Sequence, residues 1–393
     1  MLIALNDKEE LIHASKVEEK IQKKASFYCP DCKNSVFLKN GKLKIAHFSH
    51  FNQTNCLAFS EGETKEHLQG KQLLLDWFVK QGFVCQLEAH LPDLNQRPDI
   101  LVWINQTKAI AVEFQCSPLP VKRMQERTEG YKTKGYEVFW IVGSQFKLTD
   151  RVTAFQRLFI YSNAYIRRSL FFLDVPNKKF FVYSNIDYQN LTQEIEYDRV
   201  TIKLNQLMLS NVSSVVKELA NKNRIRKNRI VPQPKELIKS HDYLNQGRMY
   251  RNPEMVSFQK YIYQRGDSLI SLPIEVYFKV QGQLLIRTLP HFWKYILLKW
   301  LTNKYIGSII NLKELDNQLN KMLVDKTVIF YTMPLLTIEE QKKPFYEYVK
   351  LLVTVDILME TKTNQWMLKR KPYYYKNEQE KISSFKNVHS LFN

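Results

Sequence analysis

RPDILVWINQTKAIAVEFQ, residues 97–115, sets one acid at the head of an apolar run and a second inside the next. Asp99 opens a strand-like stretch that ends near Ile104. Ala109 to Gln115 is another, with Ala111, Glu113 and Gln115 on one face by the two-residue period of a strand. Two carboxylates on adjacent strands can therefore meet. An acid inside Ala109-Ile-Ala-Val-Glu-Phe is costly to bury unless it finds a cation, a metal or hydrogen-bond donors. Two kinds of partner would serve. A hard divalent ion, Mg2+ or Mn2+, takes oxygens from carboxylates and a backbone carbonyl and keeps a water that can attack phosphorus. A structural ion pair between Glu113 and Lys71 or Arg127 needs no metal at all.

The flanks supply the frame. Glu63 to Gln81 carries Leu73, Leu74, Trp77 and Phe78 as an apolar stripe, with acids in its first turn and Gly82 just past its end, which predicts a helix. Glu66, Gly70, Leu73 and Trp77 share a face of it, with His67 and Lys71 alongside. A strand is expected over Val84–Ala89, a second helix over about Val121–Lys134 and a strand over Glu137–Val142, giving the order αβββαβ. Arg127 and Tyr131, four apart on the second helix, lie on one face, where they could contact a phosphate or steady the carboxylates. Cys85 and Cys116 read as small buried residues, and Trp77 and Trp140 as core.

Nearer the N-terminus, Cys29-Pro-Asp-Cys32, His47-Phe-Ser-His50 and Cys56 put five ligand-type residues within 28 positions. A Cys-x2-Cys knuckle converges two thiolates on one ion, and a later His and Cys complete a tetrahedron. The expectation is structural Zn2+ on four of the five, with either His47 or His50 as the nitrogen ligand. Such an ion would hold a small module and leave no position for reactive water. The alternative is a strand-rich module with free cysteines.

At 393 residues, 44% apolar and 13% aromatic, the chain has material for two or three packed domains and is no disordered tail. The expected divisions are a Cys/His module over 1–57, an α/β domain over 58–165, a hairpin and connecting region over 166–220, and a basic, mainly helical domain over 221–393. No leader pattern and no long apolar run is present, so a cytoplasmic protein without a membrane span is expected. Net charge is +19. Residues 221–393 hold 29 basic against 15 acidic residues, which favours a polyanionic partner. Within them, Asn221 to Lys235 has no acid and two prolines, and Arg224, Arg226, Lys227 and Arg229 could track a phosphate backbone or simply be a solvated linker.

Arg97-Pro98-Asp99, followed by Glu113-Phe114-Gln115 inside an αβββαβ order, resembles the PD-(D/E)xK nuclease core in an E-x-Q variant. With the Cys/His pattern, Glu66-His67-Leu68-x2-Lys71, Arg127-x3-Tyr131 and Trp140, residues 1 to about 160 resemble the CoiA competence protein family. The resemblance implies a restriction-endonuclease-like α/β core with a zinc-binding N-terminal module and a helical C-terminal domain. It also implies action on incoming DNA in natural transformation, with RecA as a partner and a homodimer as a possible assembly. In such a core Asp99 and Glu113 would hold Mg2+ or Mn2+, helped by the Phe114 carbonyl. Gln115 stands where the motif has lysine, and Lys71 is the candidate for a displaced cation. His67 would be a general base or a packing partner, and Glu66 a supporting carboxylate or a ligand to a second ion. The expected activity is metal-dependent cleavage of single-stranded or branched DNA. Gln115 cannot supply the charge that a lysine lends the transition state, so the alternative is an inactive DNA-binding mediator of recombination.

Overall fold

The computed structural model describes residues 1–17, 25–41, 44–51, 56, 63–163, 167–189, 194–206 and 232–387. The basic run Arg224, Arg226, Lys227 and Arg229 lies outside them. The chain forms two units: Met1–Asn185 with Asp198–Asn221 and Met333–Leu335, and Ile186–Tyr197 with Lys222–Thr332 and Leu336–Asn393.

The first unit begins with β1 (Ile3–Leu5), β2 (Leu11–His13), β3 (Phe27–Tyr28), β4 (Ser35–Gly41) and β5 (Lys44–His50), an antiparallel sheet in the order β2-β1-β3-β4-β5. Strand alternation turns Val36, Leu38 and Phe48 into a small core with Phe27 and Cys29. The registers Leu38 opposite Phe48 and Phe37 opposite Ser49 put Phe37 and Ser49 on the other face.

Next come α1 (Lys65–Lys80), β6 (Val84–Leu87), β7 (Ile100–Trp103), β8 (Ala109–Gln115), α2 (Val121–Thr133) and β9 (Glu137–Val142), the αβββαβ order. Thr64 caps α1, its hydroxyl accepting the His67 amide at 3.1 Å. Strands β6, β7 and β8 run antiparallel, and α2 returns the chain so that β9 lies parallel to β8. The helices take opposite faces of β8. Gly70 of α1 sits so close to Phe114 that a Cβ there would fall 2.0 Å from a ring carbon, while α2 meets the face of Ala111, Glu113 and Trp140, whose indole donates to Thr128 at 3.1 Å.

The sheet continues through α3 (Ala154–Arg157), β10 (Tyr161–Asn163), β11 (Arg167–Asp174), β12 (Lys179–Tyr188) and β13 (Ile195–Lys203), in the order β13-β12-β11-β9-β8-β7-β6 with β10 on β11. The runs on either side of Pro176-Asn177 pair as an antiparallel hairpin with Asp174 opposite Lys179.

The second unit is mainly helical: α4 (Pro234–Met249), α5 (Pro253–Tyr263), α6 (Pro290–Thr302), α7 (Leu312–Val324), α8 (Ile338–Thr354) and α9 (Glu378–Lys386). A three-stranded sheet joins them, β14 (Ile309–Asn311), β15 (Leu358–Lys362) and β16 (Gln365–Leu368), ordered β14-β16-β15. Both β14 and β15 pair antiparallel with β16, Ile310 opposite Trp366 and Leu358 opposite Leu368. Acids and bases on α8 pair along the helix, Lys342 with Glu339 and Lys350 with Glu347, so that helix offers little excess charge to a phosphate backbone. Lys294 and Lys381 are fully buried and donate to main-chain carbonyls of Phe278 and Leu269. Burial holds both well below the usual lysine range. Part of the positive count in this half of the sequence is therefore not surface charge.

Candidate functional site

Asp99 leads into β7, and Glu113 lies mid-way along β8. Both are buried, and each already has partners. The Asp99 Oδ2 accepts from His67 Nε2 at 3.0 Å and from the Phe114 amide at 2.8 Å, and Lys71 Nζ stands 3.8 Å from Oδ1. Burial works against the charge of Asp99, but His67, Lys71 and Arg127 outweigh it and hold the carboxyl well below its ordinary value.

Glu113 is 1% exposed and faces α2. Both of its oxygens accept from the Arg127 guanidinium, and the Tyr131 hydroxyl adds a bond of 2.6 Å. Arg127 also reaches the Arg97 carbonyl at 3.4 Å and lies 5.4 Å from the Trp140 ring. Burial and the charge of Asp99 push the Glu113 carboxyl up to about 7, against the restraint of Arg127 and Tyr131. The ion pair with Arg127, one of the two partners open from sequence, is the one the fold makes.

Lys71 is buried on α1 between acids rather than pointing at an open cleft. It donates to Glu63 and Glu88, and these charges, with Asp99, raise its pKa despite burial. Glu88 is the residue that sequence reasoning missed. It adopts φ +49° just after β6 and accepts from the Leu2 amide at 2.9 and 3.0 Å and the Ile3 amide at 3.2 Å. Burial works to raise its carboxyl, but Lys71 and Arg97 bring it down to about 2. Glu66 turns to the far end of β9, where its two oxygens accept from the Ser144 amide and hydroxyl, each at 2.7 Å. The Gln115 amide donates to the Ser117 carbonyl at 2.8 Å.

In this arrangement Glu113 is paired with Arg127 and Tyr131 rather than open to an ion. The two Glu113 oxygens together accept three bonds from Arg127 and Tyr131, whereas Asp99 Oδ1 has Lys71 only at 3.8 Å. A metal would have to displace Arg127.

The Cys/His cluster is different. The candidate ligand atoms of Cys29, Cys32, His50 and Cys56 all lie within 4.8 Å of one another, with Cys32 Sγ to His50 Nε2 at 3.3 Å and Cys29 Sγ to Cys56 Sγ at 3.9 Å. Zn–S bonds of about 2.3 Å and a Zn–N bond of about 2.0 Å require such spacings, so the four residues fit a metal such as zinc. Burial pushes the Cys29 thiol up to about 12 and raises Cys56, so these sulfurs need a cation to become thiolates. His47 points elsewhere, its Nδ1 donating to the Ile45 carbonyl at 2.8 Å. Asp31, inside the knuckle, bonds His90 at 2.6 Å and Arg97 at 2.8 Å.

The sheet order, with an acid leading β7 and another within β8, defines a nuclease-like α/β domain of the restriction-endonuclease type, preceded by a Cys3His module. Domain descriptions tile the chain accordingly: "Competence protein CoiA, N-terminal domain" over residues 11–59, "Competence protein CoiA, nuclease-like domain" over 63–216 and "Competence protein CoiA, C-terminal domain" over 232–382. The chain belongs to the CoiA competence protein family. Over 147 residues it is 34% identical to Competence protein CoiA of Bacillus subtilis (strain 168), a stretch that covers 37% of this chain and 39% of that protein. No solved structure matches it. Among the described residues no helix is long and apolar enough to cross a membrane.

Proposed function

We propose that this protein binds single-stranded or branched DNA during competence and passes it to recombination without cutting it. The observation that carries the reading is the closed state of Glu113: a guanidinium and a phenol occupy both oxygens where a catalytic ion would need them. Gln115 agrees with it, since a neutral amide tied to Ser117 brings no charge to a phosphorane. On this reading the nuclease-like core is a rigid carrier, the net charge of +19 draws the polyanion, and a structural zinc ion on Cys29, Cys32, His50 and Cys56 fixes the N-terminal module. A recombinase of the RecA type is the proposed recipient of the strand.

A second reading is metal-dependent hydrolysis. It draws support from Asp99, which stays ionised with His67 at 3.0 Å and Lys71 at 3.8 Å, and it requires Arg127 to swing clear. The test is incubation of the full chain with labelled single-stranded, duplex, flap and four-way-junction DNA in Mg2+, Mn2+ or EDTA, with Asp99→Asn and Glu113→Ala in parallel. Salt-sensitive binding without cleavage in any metal is the expected result. Metal-dependent cleavage that disappears in Asp99→Asn would overturn it and establish the second reading.

A further inference from the structure

The outer face of the β4–β5 hairpin is the part of the N-terminal module that its metal and core leave unexplained. Alternation directs Val36, Leu38 and Phe48 inward, and sends Ser35, Phe37 and Lys39 on β4, with Ser49 on β5, to the opposite face, where Phe37 pairs with Ser49. Phe51, one residue beyond β5, is 65% exposed. Its ring centroid lies 4.8 Å from that of Phe37 at an interplanar angle of 41°, and Lys39 Nζ stands 5.2 Å from the Phe37 centroid. A lone exposed phenylalanine calls for no explanation. Two in ring contact with a lysine over one of them, beside the hydroxyls of Ser35 and Ser49, form a surface with both aromatic and cationic character.

The electrostatics of the hairpin select the occupant. From Cys32 to Phe51 the sequence holds four lysines and no acidic residue, and Lys39 among them stands over the Phe37 ring, a combination that suits an anion. Every nucleobase has a face to stack on an aromatic side chain, and in single strands that face is accessible beside the phosphate that a lysine neutralises. In a duplex the bases stack on each other and the faces are hidden. His50 turns inward from the same hairpin to the Cys3His cluster, where its Nε2 is 3.3 Å from Cys32 Sγ, so the ribbon that would carry the bases is held at its root by the metal site.

We propose that Phe51 and Phe37, with Lys39, form a base-stacking platform for single-stranded DNA on the outer face of the β4–β5 hairpin. The proposal rests on the DNA-binding reading above and names the strand form and the surface involved. Phe51 supplies the accessible ring, Phe37 buttresses it from β4, and Lys39 takes the adjoining phosphate.

The test measures binding of the zinc-loaded full chain to fluorescein-labelled oligothymidylate by anisotropy. Base stacking on a protein aromatic is worth about 1–3 kcal/mol per base, so Phe51→Ala should weaken binding by about 5- to 150-fold. Phe51→Tyr should restore it. An abasic strand of the same length should bind the unaltered protein about as weakly as oligothymidylate binds Phe51→Ala, and Phe51→Ala should not weaken it further. Lys39→Ala should reduce the salt dependence by about one phosphate. Because Phe51 is exposed, its loss should not unfold the module, and unchanged zinc content with an unchanged circular-dichroism spectrum verifies this. If oligothymidylate binds the unaltered protein and Phe51→Ala equally tightly, the platform is wrong while the DNA-binding reading stands. If the unaltered protein binds none of the DNA forms, the DNA-binding reading itself fails and takes the platform with it.

Discussion

Replacing Arg127 by leucine should turn a satisfied ion pair into a buried acid without its cation, at a cost that depends on pH in a defined direction. Glu113 is 1% exposed and keeps only the Tyr131 hydroxyl at 2.6 Å among the two partners that now hold it. Removing one member of a buried pair costs about 3–5 kcal/mol when the remaining group stays charged. Glu113 can escape part of this by taking a proton. Its carboxyl already stands at about 7 against an ordinary 4.5, and without Arg127 it rises further. A carboxyl whose folded value lies above its unfolded value contributes no electrostatic penalty below the unfolded value, because both states are then protonated. Between the two values the penalty grows by about 1.4 kcal/mol per pH unit, and above the folded value it levels off. The unaltered protein carries the same penalty up to its own folded value, so the loss relative to it should stay near about 1 kcal/mol from pH 5 to 7 and reach about 2 kcal/mol near pH 8. The chain forms two units, so hydrogen exchange at the amides of β8 and α2 is a better gauge than a global two-state melt. Adding Glu113→Gln should recover much of the loss by removing the stranded charge. A loss below about 0.5 kcal/mol at pH 8, or one that shrinks as pH rises, would refute the argument.

Stripping metal with a strong chelator, or substituting Cys32→Ser, should first abolish hydrogen-exchange protection in β3 to β5; the absence of one tightly bound zinc per chain by elemental analysis would remove the claim. Acid should act on the first unit through Glu63, Glu88 and Asp99, all held below their ordinary values. Their contribution is present above the unfolded carboxyl range and lost as pH falls through the folded values, so circular dichroism should be steady at pH 5 and change between about pH 4 and 2. Glu88→Gln should make that acid transition shallower. Gly70→Ala reverses the usual helix preference: alanine ordinarily gains up to about 1 kcal/mol over glycine in a helix, but a Cβ 2.0 Å from Phe114 should overpack the core and cost about 1–3 kcal/mol. A raised melting temperature for Gly70→Ala would show that Phe114 can move aside.

The αβββαβ frame was legible because local and long-range signals agree there. Ala109–Gln115 and Glu137–Val142 form strands over the residues that their alternation and apolar content mark. Thr64 and the acids beside it begin α1 as a capped helix should begin, although the helix spans Lys65–Lys80 and buries Leu68, Lys71, Leu74 and Phe78, with Leu73 and Trp77 only partly covered. Glu113 could be flagged from sequence because an acid in an apolar strand must find a partner, but the choice between Lys71 and Arg127 depends on which helix packs on which face. That is settled by the close approach of Gly70 to Phe114, a tertiary contact. The choice between His47 and His50 is likewise a matter of register: His50 lies opposite inward-facing Val36, and His47 opposite Lys39. Glu88 escaped notice because its role is to accept the amides of Leu2 and Ile3, 86 and 85 residues away, a pairing without local trace.

The Asp31 to Arg97 ion pair has a consequence for how such proteins can be divided and recombined. Asp31 sits between two cysteines of the Cys3His cluster, and Arg97 immediately precedes the Pro98-Asp99 step of the nuclease-like core. Glu88 meanwhile takes its amide donors from Leu2 and Ile3. A fragment starting at Glu63 would contain every residue of the αβββαβ frame and yet leave a buried arginine and a buried glutamate without these partners. A chimera that borrows its N-terminal module from a relative inherits the same problem unless Asp31 and Arg97 are exchanged as a pair. Covariation of these two positions across relatives, rather than a tolerant seam between modules, is what selection should have left behind.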